Sequence, residues 1–413
     1  MNRVVAAVVA VATAATLATT CSSDGDAGAG GSAGTDATTA TSGTSGTGDS
    51  EHGAGFSIPD ELRRRAEAAH EVVDVDYPPQ PEDVPWPTDD WPTGDLPAEV
   101  RAEVDAVVRA DYAAGDEFDR VEAVLVVHGG RLVYESYNDW DPQARHNSWS
   151  MAKSITAAMV GILEHQGRMD VFEPARAEEW REPGDPRGAI TVDQLLRMSS
   201  GLEWSESYTD PEGDVLTIVG ADAEDRAGYT AAKPLADEPD SVWEYSTGTS
   251  DVVAREVAYE VGFGPEYEAW IQEELLDPLG IPGADHQFDA AGVTNGGSWI
   301  NMRPVDFARF GLLFLRGGEW DGERIVDEEW VDYSRQPTPT AAEREYGAHW
   351  WLEEDPDLPE AFHASGFNGQ SITVMPTQDV VLVILSTTAT DRDEPVRAAL
   401  LDALDGLRPP GQG

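Results

Sequence analysis

Two hairpin patterns at distant places in the chain place the strongest constraint on its fold. Val121–His128 is a β-rich run, and Arg131–Tyr137, just after a Gly-Gly pair, alternates in polarity as hairpin strands do. Ser371–Met375 and Val380–Ser386 form a second pair near the other end. The interval from about 150 to 330 carries mostly helical and loop patterns. We therefore expect an α/β (α+β) fold: one antiparallel sheet built from both chain ends, with flanking helices and an inserted, mainly helical region.

Composition divides the chain into five segments. Residues 1–20 have a positive start and an uncharged run, as in a signal peptide, and residues 21–55 are a Gly-, Ser- and Thr-rich stretch that predicts a disordered tether. Residues 56–97 are rich in Pro and Trp and predict an extended segment laid over the main domain. That domain spans 98–408, and 409–413 is a short tail. Helices are expected at its two ends, over 98–113 and 392–407.

The only cysteine, Cys21, lies shortly after the hydrophobic run, which ends at Leu17. A single cysteine excludes an intrachain disulfide. The stretch from Leu17 to Asp24 resembles a bacterial lipoprotein signal, in which the cysteine becomes the lipidated first residue, although Thr20 stands where a smaller residue is usual. We expect an exported protein, lipid-anchored on the outer side of the cytoplasmic membrane. The alternative is an ordinary secretory signal with an incidental Cys21.

Charge and histidine spacing exclude several functions. The formal net charge of -51 should repel nucleic acid and anionic membrane faces, so we expect no nucleic-acid partner and no membrane contact beyond the lipid anchor. The 8 histidines form no close metal-binding pair, and no glycine-rich phosphate loop follows a strand. We therefore predict no metal and no cofactor. The oligomeric state stays open.

A lysine in an arginine-dominated chain marks the first candidate site. The chain has two lysines, Lys153 and Lys233, among 27 Lys and Arg residues. The apolar residues after Ser150 recur at helical spacing, which places Ser150 at a helix N-terminus and Lys153 one turn later on the same side. A serine hydroxyl needs a base, and a buried lysine can lose its proton, whereas arginine stays protonated. Alone, a serine three residues before a lysine is a weak motif, and the lysine could equally be a solvated helix residue.

Several longer stretches resemble the serine β-lactamase and penicillin-binding-protein superfamily. They are most similar to the branch of class C β-lactamases, related esterases and 6-aminohexanoate-dimer hydrolase, over roughly residues 91–407. The resemblance implies a β-lactamase/transpeptidase-like fold, with Ser150 as nucleophile, Lys153 as its proton acceptor and Tyr245 as the proton shuttle to the leaving group. The stretches are "VLVVHGGRLVYESY", "HNSWSMAKSITAAMVGILEHQGRMD", "ITVDQLLRMSSGLEW", "WEYSTGTSDVVARE" and "FHASGFNGQSITVMP".

The resemblance also implies binding residues and shows two departures. The backbone N–H groups of Ser150 and Phe367 would form the oxyanion hole, and Ser365 and Gly366 would bind substrate. Thr247 stands where the family has an asparagine that contacts substrate. Ala364 stands where the family has a lysine or histidine that often helps to bind a substrate carboxylate.

These features predict an exported serine hydrolase that acts through an acyl-enzyme on a small ester or amide. Loss of the cation at Ala364 argues against cell-wall peptides and β-lactams as preferred substrates, unless an arginine from elsewhere in the chain takes its place. Strand alternation turns the adjacent His363 to the opposite face, so we interpret it as structural. Two alternatives stay open. One is β-lactamase or D,D-peptidase activity, and the other is a catalytically weak protein that binds a ligand in the same cleft.

Overall fold

The computed structural model describes residues 56–70, 72–114, 120–220, 223–342, 345–353, 355–387 and 393–410. The predicted signal peptide, Cys21 and the tether lie outside this part of the chain. Within the described ranges, no helix is both long enough and apolar enough to span a bilayer.

A six-stranded antiparallel sheet forms the centre of the described domain. The strands of the described residues are, in chain order, β1 Val121–His128, β2 Arg131–Tyr137, β3 Asp285–His286, β4 Ile300–Asn301, β5 Glu319–Trp320, β6 Glu323–Arg324, β7 Trp351–Leu352, β8 Phe362–Gly366, β9 Gln370–Met375 and β10 Val380–Ser386. The order across the six-stranded sheet is β2-β1-β10-β9-β8-β7, so strands from both chain ends meet at the β1–β10 pair. This confirms the expected sheet and both hairpins, and adds β7 and β8 at one edge. β3–β4 and β5–β6 are separate two-stranded ribbons.

Helices fill the interval between the hairpins and flank the sheet. In chain order they are α1 Asp60–Ala69, α2 Ala98–Ala114, α3 Met151–His165, α4 Val192–Leu196, α5 Asp214–Ile218, α6 Arg226–Ala231, α7 Thr247–Val261, α8 Pro265–Ile271, α9 Pro304–Leu315, α10 Glu328–Ser334 and α11 Asp393–Asp405. Short 3₁₀ turns cover Glu178–Trp180 and Pro186–Ala189, and a π-helical turn covers Gln272–Leu276.

The central strands are buried on both faces because successive side chains point to opposite sides of a sheet. Ala123, Leu125 and Val127 of β1 belong to the larger core, which includes α3 and α9. Val124 and Val126 belong to a second core with α2 and α11. The sheet is therefore covered by helices on both faces, and α3 is held against the face that carries the larger core.

The expectation of an extended segment over 56–97 is wrong for one part. Asp60–Ala69 is a helix, α1, which begins directly after Pro59 and buries Leu62 and Ala66, four residues apart on one face. Its sequence, DELRRRAEAA, contains no proline and is made largely of good helix formers. The whole of 56–97 was predicted as extended because the neighbouring stretches are rich in proline, which prevents regular helix. The helix preference of the ten residues before them was therefore overlooked.

Candidate active site

Ser150 lies at the N-terminus of α3, after a strained residue. Trp149 has a φ of 44°, in the left-handed region that a bulky residue seldom adopts. Its backbone N–H donates to Asn147 Oδ1 at 3.0 Å, and the Ser148 hydroxyl accepts from Ile300 N–H at 3.0 Å. These contacts hold the turn that presents the partly exposed Ser150 hydroxyl at the end of the helix.

The Lys153 amine lies beside the Ser150 hydroxyl, one helical turn away. Lys153 is 1% exposed, and its Nζ is 3.1 Å from Ser150 Oγ. It donates to Thr247 Oγ1 and to the Gly297 carbonyl, both at 2.9 Å. Burial lowers the pKa of Lys153 to about 8, although the nearby Glu206 and Asp251 carboxylates oppose this shift. An appreciable fraction of the amine is therefore neutral near neutral pH and able to accept a proton.

Two consecutive glycines, Gly296 and Gly297, pack against α3 and α7 next to Lys153. A Cβ on Gly297 would lie 2.7 Å from Thr247 Cγ2, so only glycine allows this close approach. The preceding Gly296 donates its backbone N–H to Asp251 Oδ1 at 3.0 Å. Asp251 is fully buried, and burial raises its pKa to about 7. The lysine therefore has a second carboxyl group behind it, on α7.

Tyr245 lies just before α7, next to the Ser150–Lys153 pair. Lys153 Nζ is 4.9 Å from the centre of its ring, and the ring stacks on Trp351 with centroids 5.4 Å apart. Burial and the Glu206 carboxylate raise the pKa of the Tyr245 hydroxyl, while a hydrogen bond with Ser150 opposes this. The phenol is therefore protonated at neutral pH, which suits a proton donor better than a base.

The end of β8 approaches the backbone just before Ser150. A Cβ on Gly366 would lie 2.6 Å from the Ser148 carbonyl oxygen, so glycine is required here too. Phe367, the next residue, packs edge-on against Trp149 and stacks on Tyr208. Among the described residues, neither the Ser150 nor the Phe367 backbone N–H donates to a protein acceptor. Both are therefore available to a ligand oxygen.

The residues of β8 divide between the two faces of the sheet as alternation predicts. Ala364 is 0% exposed and belongs to the larger core, opposite Ile372 on β9. His363 faces the other way, with Nδ1 3.9 Å from Glu353, and burial lowers its pKa well below the usual range. Ser365 is partly exposed at the same edge. Neither Ala364 nor His363 presents a cation beside Ser150.

The structure thus brings together Ser150, Lys153, Tyr245 and Thr247, with Gly366 and Phe367 adjacent. Two close neighbours of the lysine were missed by sequence reasoning. Gly297 could have been noticed, because a Gly-Gly pair in a helical region can mark a close backbone approach. Glu206 gave no signal, since it is one of 78 acidic residues and meets the lysine only through the fold.

A match to a family model decides the assignment. The beta-lactamase family model matches residues 118–406, which includes the sheet, α3, α7 and the end of β8. The chain belongs to the beta-lactamase family. The chain is 28% identical over 296 residues to the 6-aminohexanoate-dimer hydrolase of Paenarthrobacter ureafaciens, and the match covers 64% of this chain and 72% of the relative.

Solved structures share the fold. A structure from Bacillus anthracis that carries the 6-aminohexanoate-dimer hydrolase name has a TM-score of 0.64 at 21% identity, covering 84% of this chain and 94% of the other. A family VIII carboxylesterase has a TM-score of 0.59 at 15% identity, covering 76% and 98%. At such identities the likeness concerns the fold. Membership of the family, together with the sequence relative, makes this chain a β-lactamase-fold hydrolase.

Proposed function

We propose that this protein is a serine hydrolase that acts through an acyl-enzyme on a small ester or amide. The observation that carries the proposal is the buried Lys153 amine, 3.1 Å from Ser150 Oγ, with its pKa lowered to about 8. A serine hydroxyl is a weak nucleophile until a base takes its proton. This amine has the position for that role, and its lowered pKa leaves a fraction of it neutral near neutral pH.

In the proposed mechanism the neutral Lys153 amine accepts the Ser150 proton as the oxygen attacks the substrate carbonyl carbon. The Ser150 and Phe367 backbone N–H groups stabilise the negative charge on the carbonyl oxygen. Tyr245, a neutral phenol beside Ser150, donates its proton to the leaving alcohol or amine and is reprotonated with the proton that Lys153 took from Ser150. Water then attacks the acyl-enzyme and regenerates Ser150. Esters and amides share this route, which fits a relative named for 6-aminohexanoate dimer and a fold neighbour named carboxylesterase.

We predict that short uncharged esters are hydrolysed with higher kcat/KM than cephalosporins or D-Ala-D-Ala peptides. Ala364 is buried in the core and supplies no cation for a substrate carboxylate. The test compares nitrophenyl esters, small amides, a chromogenic cephalosporin and a D-Ala-D-Ala peptide. The Ser150→Ala protein provides the blank, because activated esters react slowly with many proteins. A cephalosporin turned over as efficiently as the best ester would contradict the preference and favour a β-lactamase. Parent turnover no faster than the blank on every substrate would favour a ligand-binding protein.

We also propose export with a lipid anchor, on the basis of the hydrophobic run before Cys21. In a bacterial host, Cys21→Ser is expected to move the protein from the membrane fraction into the medium, because the thiol carries the lipid. Ser23→Ala, which keeps the cysteine, is the matched control and should stay with the membranes. One acyl chain binds only marginally, so stable anchoring requires further lipid. Identical fractionation of the Cys21→Ser and parent proteins would contradict the anchor.

A further inference from the structure

The Glu206 carboxylate lies near Ser150, Lys153 and Tyr245, and it is linked to Lys153 through the Thr247 hydroxyl. Glu206 Oε1 accepts the Thr247 hydroxyl proton at 2.5 Å and the Tyr208 hydroxyl at 3.3 Å. Glu206 Oε2 accepts the Thr247 backbone N–H at 2.9 Å and the Trp204 indole N–H at 2.6 Å. Thr247 is the first residue of α7, where a negative charge is favourable. Four donors therefore fix this carboxylate in one place, each with its hydrogen directed at a carboxylate oxygen.

The donor and the acceptor of each hydrogen bond between Lys153, Thr247 and Glu206 follow from the chemistry of the three side chains. A carboxylate without a proton can only accept, and both the neutral and the charged lysine amine can donate. A threonine hydroxyl has one proton. Thr247 Oγ1, bonded to both, must accept from Lys153 at 2.9 Å and give its own proton to Glu206. The chain Lys153–Thr247–Glu206 is thus ordered in one direction, and Thr247 has no proton left for a substrate.

The same arrangement fits both forms of the lysine. The neutral amine has two protons, which go to Thr247 Oγ1 and the Gly297 carbonyl, and its lone pair then points to the Ser150 hydroxyl. When the Ser150 proton moves to Lys153, the ammonium has three protons and three acceptors in place. The ammonium keeps its three protons until it reprotonates Tyr245, which gives its own proton to the leaving group.

We infer that Glu206 is a positioning residue that acts through the Thr247 hydroxyl to orient the Lys153 amine and to stabilise the ammonium formed during attack. The inference rests on the proposed serine mechanism. In this inference the Thr247 hydroxyl links Glu206 to Lys153. The family resemblance instead places an asparagine at this position, where it binds substrate. The substrate must therefore be held without a donor from this position.

Four titratable groups face Lys153, and their charges determine the pH dependence. They are Glu206, Asp251 on α7, Tyr245, and His349, whose pKa burial and the nearby lysine lower to about 3. Glu206 is the carboxylate that reaches the amine through a hydroxyl. Its negative charge raises the pKa of Lys153, so its removal should lower that pKa and move the onset of activity to lower pH.

The rate of labelling by a fluorophosphonate, measured against pH, tests the inference without knowledge of the substrate. In the parent this rate should rise through the pKa of Lys153. Glu206→Gln is expected to move the midpoint down by about one pH unit. Glu203→Gln removes an exposed carboxylate three residues earlier in the same loop and should leave the midpoint unchanged.

A second pair of variants separates the hydroxyl from the shape of the side chain. Thr247→Val keeps the shape and loses the hydroxyl, and should slow labelling roughly ten- to a hundredfold, the effect of one hydrogen bond to a charged group. Thr247→Ser keeps the hydroxyl and should recover most of that rate. A role in packing alone would reverse the order of the two variants.

The outcomes distinguish this inference from the proposed function. A parent labelled at Ser150 whose Glu206→Gln form has the same midpoint overturns the positioning role and leaves the serine hydrolase intact. Equal labelling rates for the valine and serine variants at Thr247 overturn it as well. A folded parent that the probe does not label at Ser150 overturns both proposals.

Discussion

Replacement of Lys153 by arginine is expected to lower kcat/KM by about 10²–10⁴-fold, the usual contribution of one acid–base group. The substitution keeps the positive charge and a long side chain. The guanidinium cannot lose its proton, however, so it cannot accept the proton of Ser150. The three contacts of the Lys153 nitrogen would also have to accommodate a planar, larger group. The measurement is kcat/KM for the best ester, after circular dichroism has verified the fold.

The other lysine of the chain is a matched control. Lys233 forms an ion pair with Asp214 and lies over the ring of Tyr229, 4.6 Å from its centre. Arginine can make both contacts, so Lys233→Arg should retain near-parental activity. If Lys153→Arg is folded and also within about threefold of the parent, Lys153 is not the base, because a guanidinium cannot accept the Ser150 proton.

Replacement of Ser150 by alanine is expected to lower turnover at least about 10³-fold, because the acyl group then has no acceptor. The neighbouring serines cannot substitute. Ser148 is buried and its hydroxyl accepts from Ile300 N–H, while Ser154 is buried and donates to the His349 carbonyl at 2.7 Å. Ser154→Ala, on the same helix, is the control. It removes one buried hydrogen bond, and should cost about 1 kcal/mol of stability while turnover persists.

Sequence reasoning succeeded where local patterns decide the structure. Alternation and turn residues predicted β1, β2 and β10. Helical spacing predicted Ser150 at a helix N-terminus, and α3 begins at the next residue, Met151. Alternation also separated the faces of His363 and Ala364. Each of these features depends on residues close together in the chain, whose preferences the fold does not override.

The remaining features depend on contacts between distant residues. β7 has two residues, Trp351 and Leu352, and exists only because β8 offers an edge to pair with. The burial that lowers the pKa of Lys153 comes from α3, α7 and the loop at Gly297, which are brought together by the fold. No pattern of spacing identifies Glu206 as the carboxylate beside the lysine. Such positions can be identified only when the three-dimensional arrangement of the side chains is known.

The central claim is that Ser150 is a nucleophile activated by Lys153, and mass spectrometry after incubation with a fluorophosphonate tests it most directly. The account predicts one adduct per chain, located by peptide mapping on Ser150, with a labelling rate that rises with pH around the Lys153 pKa of about 8. Ser150→Ala should acquire no adduct, and Lys153→Arg should acquire it at least about a hundredfold more slowly. An adduct on another residue, or equal labelling of the parent and the Ser150→Ala protein, would contradict the account.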